Sequence, residues 1–161
     1  MRKLRAALLA VVPAAAIFVG APTALAQTGP ADEPSVGGTS NAPVPAAPGA
    51  RLAAPDGRVY IYDLRNFTGS WCGTPTNEQD YRNIGGTCPN MDNRTTSMWN
   101  NGYVETFDDV RFYRDYVYAG PNMCLGLGDS WGDLALGWEL FNTGENANNK
   151  ISSHIWASSC P

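Results

Sequence analysis

The sequence predicts an all-β domain over residues 57–161, built as two four-stranded Greek keys that share one core between two sheets. Three observations carry that expectation. The stretch "YDLRNFTG", Tyr62 to Gly69, has a skeleton of aromatic, four residues, aromatic, one residue, glycine, and it returns as "YRDYVYAG", Tyr113 to Gly120, 51 positions later. A second matched element follows each copy: "DNRTTSMW", Asp92 to Trp99, and "NNKISSHIW", Asn148 to Trp156. Both read as two Asp or Asn, two free positions, Ser or Thr, then Ser. Two features in the same order, twice, mark an internal repeat. The third observation is that no stretch carries a helical stripe of useful length.

In chain order, residues 1–26 read as an export signal. Arg2, Lys3 and Arg5 precede the apolar run "ALLAVVPAAAIFVGA", and "ALA" ending at Ala26 fits a signal-peptidase site. The run is short for a membrane span and is interrupted by Pro13, so cleavage is expected rather than a retained anchor. The mature protein is then secreted and has no membrane span. Residues 27–56 contain no aromatic side chain and many Pro, Gly, Ala and Ser. A segment so poor in apolar surface cannot offset the entropy of ordering it, and it is expected to be a disordered linker. Removing Arg2, Lys3 and Arg5 with the signal takes the basic count from 11 to 8 against 15 acidic residues, a net charge of −7. That balance argues against a nucleic-acid partner, whose phosphates need a basic face.

Within the domain, "RVYIYDL" and "DVRFYRDY" alternate apolar and polar residues with β-branched and aromatic content, and each opens one half. "TTSMWNN" and "KISSHIW" close the halves as short strands, and glycines punctuate the segments between. The first Greek key is expected over about 58–105 and the second over about 109–158. In each corner the first aromatic lies on a strand and covers the hairpin that follows. Gly69 and Gly120 supply the positive φ that the fold-back needs. Cys72, Cys88, Cys124 and Cys160 all lie in this domain. An even count in an exported small domain reads as two disulfides, with neither a CxxC pair nor a second histidine to favour zinc. Three pairings are possible; the preferred one is Cys72–Cys88 with Cys124–Cys160, one within each half.

The two corners resemble the signature of βγ-crystallin Greek keys, and "DNRTTS" and "NNKISS" resemble the calcium-binding element of microbial members of that superfamily. "DNRTTSMWNNG" is also similar to part of small exported actinobacterial proteins grouped with the Streptomyces metalloproteinase inhibitor. The resemblance covers about residues 58–157 and implies a βγ-crystallin-like sandwich, Ca2+ as ligand, and inhibition of an extracellular peptidase, with a metallopeptidase favoured. The alternative it leaves open is a non-inhibitory crystallin-type interaction, stress or toxin-like module. A monomer is expected.

Calcium takes six to eight oxygen ligands, and each Asx-hydroxyl element offers several within six residues. The elements open with Asp92 and Asn148. The resemblance implies one site from the Asn93 backbone, the Thr96 hydroxyl and the carbonyl of Arg114. It implies a second from the Asn149 backbone, the Ser152 hydroxyl and the carbonyl of Asp63. The third element position, a frequent side-chain ligand in the family, is Arg94 in one copy and Lys150 in the other. Neither side chain offers an oxygen, which lowers the expected affinity.

No catalytic constellation accompanies these elements, and a non-enzyme is expected. His154 is the one histidine, and it follows "ISS" on a strand without a nucleophile-elbow motif. It reads as a satisfied strand residue. Asp108 and Asp109 are adjacent, so on a strand they point to opposite faces and read as solvated charges. Trp131 in "GLGDSWGDLALGW" sits among turn residues and is expected at the surface, where it could meet a protein or glycan partner.

Overall fold

The computed structural model of the chain describes residues 35–38 and 54–161. The expected export signal and the rest of the expected linker lie outside these residues. Eight strands form two antiparallel sheets. They are β1 (Val36–Gly38), β2 (Arg58–Leu64), β3 (Thr68–Thr74), β4 (Ser97–Asn101), β5 (Asp109–Asp115), β6 (Ala119–Leu125), β7 (Ser130–Trp131) and β8 (Ser153–Ala157). One sheet runs β1-β3-β2-β4-β7 and the other β6-β5-β8. Single turns of 3-10 helix stand at Tyr81–Asn83 and Leu134–Leu136, each opened by an aspartate, Asp80 or Asp133, whose carboxylate accepts an N–H of the turn. Among the described residues, no helix is long and apolar enough to cross a membrane.

The two faces of β2 show why "RVYIYDL" is so apolar. Val59 and Ile61 point between the sheets, where they join Met98, Val110, Phe112, Leu125 and Ile151 in the main core. Each such fully buried side chain contributes on the order of 1.5–3 kcal/mol. Tyr60 and Tyr62 point to the opposite face, into an aromatic cluster with Trp71 and Trp99. Tyr60 stacks on Trp99 at 5.7 Å, and Phe67 meets Tyr62 edge-on at 5.7 Å. The corner therefore works as expected: the hairpin tip folds back and leaves Tyr62 with no exposed surface. Gly69 (φ 82°) is needed there because a Cβ would lie 2.0 Å from Asp63 Oδ1. Tyr113, Tyr118 and Gly120 (φ 76°) repeat the arrangement in the second half, with the ring centroids 6.1 Å apart.

Each half supplies its third strand to the other half's sheet. Trp131 and Ser130 of the second half pair with Met98 and Trp99 of β4, while Glu78 of the first half bridges His154 of β8. Met98 and His154 are equivalent positions of the repeat. The exchange is therefore symmetric, and it locks the two Greek keys into one core.

The expected linker differs from the structure in one place. Val36–Gly38, inside 27–56, forms β1 and pairs with Gly73, Cys72 and Trp71 of β3. The reason is an open edge: β3 offers unpaired backbone groups that a short extended segment can satisfy. Gly37 permits the approach, since a Cβ there would lie 2.7 Å from Cys88 Cα and 2.8 Å from the Trp71 carbonyl. Composition predicted disorder because it counts apolar surface and not a waiting sheet edge. The domain also begins slightly earlier than residue 57, for Asp56 accepts from the Tyr60 hydroxyl and the Arg58 N–H.

Candidate functional site

The two Asx-hydroxyl elements share their backbone-fixing bonds. The last serine of each ties its own corner: Ser97 Oγ donates to Leu64 O (2.7 Å) and accepts from Phe67 N–H (3.0 Å). Ser153 Oγ donates to Asp115 O (2.6 Å) and accepts from Tyr118 N–H (3.1 Å). The first residue of each is turned by an Asx cap, Asp92 N–H on Asn90 Oδ1 and Asn148 N–H on Asn146 Oδ1, both 2.9 Å, and Asp92 Oδ2 also accepts from Asn93 Nδ2 and the Tyr116 hydroxyl. The second residues, Asn93 (φ 53°) and Asn149 (φ 54°), are left-handed, a region asparagine tolerates better than most side chains.

The halves meet through these left-handed residues. Asn93 N–H donates to Ile151 O and Asn149 N–H to Thr95 O, each at 3.0 Å. Consequently Asn149, Asp63, Asn93 and Arg94 line one small cleft, with the Thr96 hydroxyl donating to Asn149 Oδ1 at 3.1 Å. A second cleft is lined by Asn93, Arg114, Asp115, Tyr116, Lys150 and Ser152. Asp63, Asn93, Asn149, Arg114 and Ser152 line these clefts and Thr96 joins the first through Asn149, whereas Asp92 and Asn148 line neither, and the two hydroxyls are exchanged relative to expectation. Thr96 goes with Asn149 and Asp63, and Ser152 with Asn93 and Arg114. The reason is pairing: Thr96 N–H donates to Tyr62 O (2.8 Å) and Ser152 N–H to Tyr113 O (3.0 Å), so each hydroxyl stays beside its own sheet's corner. The Asx residue is what crosses over. Asp63 and Arg114 occupy β-bulges, at the register shifts between Tyr62 and Leu64 and between Tyr113 and Asp115, which release their backbone from the ladder.

The charges of the two clefts differ. In the first, Asp63 is the acidic residue; its Oδ1 accepts from Ser70 N–H at 2.7 Å and its Oδ2 holds Arg94 Nη2 at 2.6 Å. The second carries Arg114 and Lys150. Arg114 pairs with Asp115 and Glu145, and Lys150 with Glu145 at 3.1 Å. Lys150, and then Arg114, hold the Glu145 carboxyl below the usual range, while the bond to Asp115 raises the Arg114 guanidinium. Asp63, Thr96 and Asn149 thus bring oxygen donors of the kind calcium takes to the first cleft, where Arg94, bonded also to Asn90 O, occupies the Asp63 carboxylate. Two cations flanking Ser152 make the second cleft a poorer fit.

His154 is structural, as its sequence context suggested. It is fully buried, its Nε2 faces the Thr76 carbonyl at 3.0 Å, and its Nδ1 faces the Tyr81 hydroxyl at 2.7 Å. A carbonyl only accepts, so Nε2 carries the proton and Nδ1 accepts from Tyr81. Burial pushes the imidazole down to about 4, with the Thr76 hydrogen bond opposing.

Two expectations are corrected. Asp109 is no free solvated charge: its carboxylate accepts from Leu127 N–H (2.9 Å) and Cys160 N–H (2.6 Å), fastening the C-terminus. Trp131 is half-buried because β7 carries it against the core, and the exposed tryptophan is Trp138, at 81 %. Sequence reading missed Trp138, although its place after Gly137 in a strand-free run is a usable signal. Both disulfides, Cys72–Cys88 and Cys124–Cys160, are formed as preferred. The nearness of Asp109 to Cys124 and Cys160 is thus no metal centre, because both sulfurs are bonded to each other.

A sandwich of two Greek keys with repeated corners, in which β7 and Glu78 each pair with the opposite half's sheet, has the βγ-crystallin fold. Similarity to solved structures is at the level of the fold. The chain is similar to one reported on the evolution of the eye-lens βγ-crystallin domain fold, at 23 % identity over 78 % of this chain and 98 % of that one, with a TM-score of 0.50. It is also similar to spherulin 3a from Physarum polycephalum (22 % identity, 80 % and 99 % of the two chains, TM-score 0.45). A βγ-crystallin from an archaeon matches at 19 % identity over 62 % and 95 % of the two chains, with a TM-score of 0.44. No curated protein matches the chain. Residues 47–125 match the model of peptidase inhibitor family I36.

Proposed function

We propose that this protein is a secreted, calcium-stabilised inhibitor of an extracellular peptidase, with a metallopeptidase as the favoured target. The observation that carries the reading is the match of residues 47–125 to peptidase inhibitor family I36. The structure supports it in kind. An inhibitor must present a surface that loses little entropy on binding, and a domain closed by two disulfides and an exchanged pair of strands is pre-organised in that sense. The inhibitor family and the crystallin fold point to a protein that binds a peptidase and turns nothing over. The basic start and apolar run before Ala26 support export.

Calcium belongs to the same reading. Asp63, Thr96 and Asn149 would hold the ion in the first cleft, and what it would supply is rigidity, cross-linking the corner of one half to the Asx element of the other. Inhibition of a panel of secreted metallo- and serine peptidases by purified protein tests the main reading. Stoichiometric inhibition of at least one at micromolar protein is the expected result. Absence of inhibition across the panel replaces it with a non-inhibitory crystallin-type module.

A further inference from the structure

The repeat itself points to the surface that docks. The first 3-10 turn and its asparagine cap run from Asp80 to Asn90, and the equivalents run from Asp133 to Asn146, so the second copy is three residues longer. The extra length falls between Leu136 and Asn146. In the first copy the matching stretch is "IGGTCP", with Ile84 buried and Cys88 in its disulfide. In the second it is "GWELFNTGE", which displays Trp138 (81 % exposed) and Leu140 (43 %) directly after Leu136 (67 %) at the end of the 3-10 turn. A protein does not ordinarily leave three large apolar side chains together on one loop without a partner.

The loop is anchored at both ends. Leu134 and Phe141, buried at 0 % and 2 %, anchor its two ends in the core. Leu134 O accepts from Asn146 Nδ2 at 2.8 Å, Phe141 N–H donates to Glu145 O at 2.9 Å, and Asn142 N–H donates to Asn122 O at 2.8 Å. Another exposed apolar stretch, with Val104 and Phe107 at 84 % and 56 %, lacks such support. Among the described residues, no backbone hydrogen bond fixes Tyr103 to Phe107 to the rest of the fold.

Charge narrows the partner. The run from Asp115 to Asn149 contains Asp115, Asp129, Asp133, Glu139 and Glu145 and no basic residue. Glu139, between Trp138 and Leu140, has one carboxylate oxygen shielded from solvent and without a hydrogen-bond partner among the described residues. Trp138, Glu139 and Leu140 also rim a shallow pocket beside Trp131 and Cys124, and an exposed apolar loop in an acidic run disfavours an anionic membrane or a nucleic acid and complements an electropositive protein cleft, as a metal-centred one is.

We infer that the Leu136–Leu140 loop is the segment this inhibitor inserts into the peptidase cleft, with Trp138 as the apolar anchor and Glu139 facing the cationic floor. The inference rests on the inhibitor reading above. The test measures inhibition constants against thermolysin, subtilisin and trypsin for wild type, Trp138→Ala, Leu136→Ala with Leu140→Ala, and Val104→Ala with Phe107→Ala. Trp138→Ala is expected to raise the constant for the inhibited enzyme by roughly 30-fold or more, as central tryptophan anchors do. The Val104/Phe107 pair should change it less than about threefold, the range of a peripheral contact. Unchanged melting of the variants shows that folding is not the cause. Inhibition by wild type that Trp138→Ala leaves intact overturns the loop assignment alone. A wild type that inhibits none of the three overturns the assignment for these clefts, and failure across a wider panel removes the inhibitor reading with it.

Discussion

The Thr96 hydroxyl donates to Asn149 Oδ1 at 3.1 Å, joining one half's strand end to the other half's Asx turn. Both oxygens belong to the cleft that Asp63 shares, so a cation there would bridge the halves directly. Ligand that binds only the folded state stabilises it by RT ln(1 + [L]/Kd), about 1.4 kcal/mol at tenfold excess. For a domain of this size each kcal/mol moves the midpoint by about 4–8 °C. Calcium at about 10 mM, in the range that saturates extracellular-type sites, is therefore expected to raise the melting midpoint by several degrees over chelator. Thr96→Val should remove most of the rise. A wild-type midpoint that is the same in calcium and chelator refutes the site.

Arg94 provides a second, opposite test. Its guanidinium sits 2.6 Å from Asp63 Oδ2 and competes for the carboxylate an incoming cation needs. Arg94→Gln gives up an ion pair whose arginine is half exposed and a hydrogen bond to Asn90 O, together about 1 kcal/mol, so the calcium-free midpoint should fall by only a few degrees. The calcium-induced rise should be larger than in wild type. Calorimetric titration showing no gain in affinity for the variant would remove Arg94 from the site.

His154 makes stability depend on acid. Its folded value is depressed to about 4 from the ordinary 6.5, so the unfolded chain binds more protons between those limits. Stability is complete above pH 6.5 and is lost as pH falls toward 4, by about 3 kcal/mol in all. Glutamine can accept from Tyr81 and donate to Thr76, so His154→Gln should flatten this slope while lowering stability at neutral pH. Urea unfolding of both proteins at pH 7, 5.5 and 4 reads the difference, and parallel pH profiles would contradict it.

The edge strand predicts its own dependence. A chain beginning at residue 39 leaves the β3 edge open, and exposed edges recruit other strands. Reduced stability and concentration-dependent self-association are expected by analytical ultracentrifugation. Gly37→Val should reproduce both in the longer chain, because its side chain collides with Cys88 and the Trp71 carbonyl. A truncated chain that stays monomeric with unchanged stability would show that β1 contributes nothing.

Neither disulfide leaves a thiol to react. Native protein should take up no alkylating reagent, and full reduction should release all four cysteines by intact mass. Replacing Cys124 and Cys160 by serine reopens a loop with a separation of 36 residues, which the chain-entropy account puts at about 4 kcal/mol. Denaturant unfolding that shows no loss would mean the C-terminus is held by Asp109 alone.

What the sequence determined by itself was everything written locally and twice. The corners at Tyr62–Gly69 and Tyr113–Gly120 were legible because an aromatic on a strand and a glycine with positive φ are short-range requirements. The Asx elements were legible because turn chemistry selects Asn, Asp and Ser within six residues. The fold class followed from those elements. Tertiary structure alone decided what depends on distant backbone. A two-residue strand such as Ser130–Trp131 has no periodicity to read, so its exchange into the other sheet, the half-burial of Trp131 and the exposure of Trp138 were invisible. The same holds for Val36–Gly38, whose order comes from the edge of β3 and not from its own side chains. The grouping of Thr96 with Asn149 and Asp63 was decided there too. Hydrogen bonds between the halves cross the Asx residues over while strand pairing keeps each hydroxyl home, and no local pattern encodes which of two equivalent partners a ladder will place alongside.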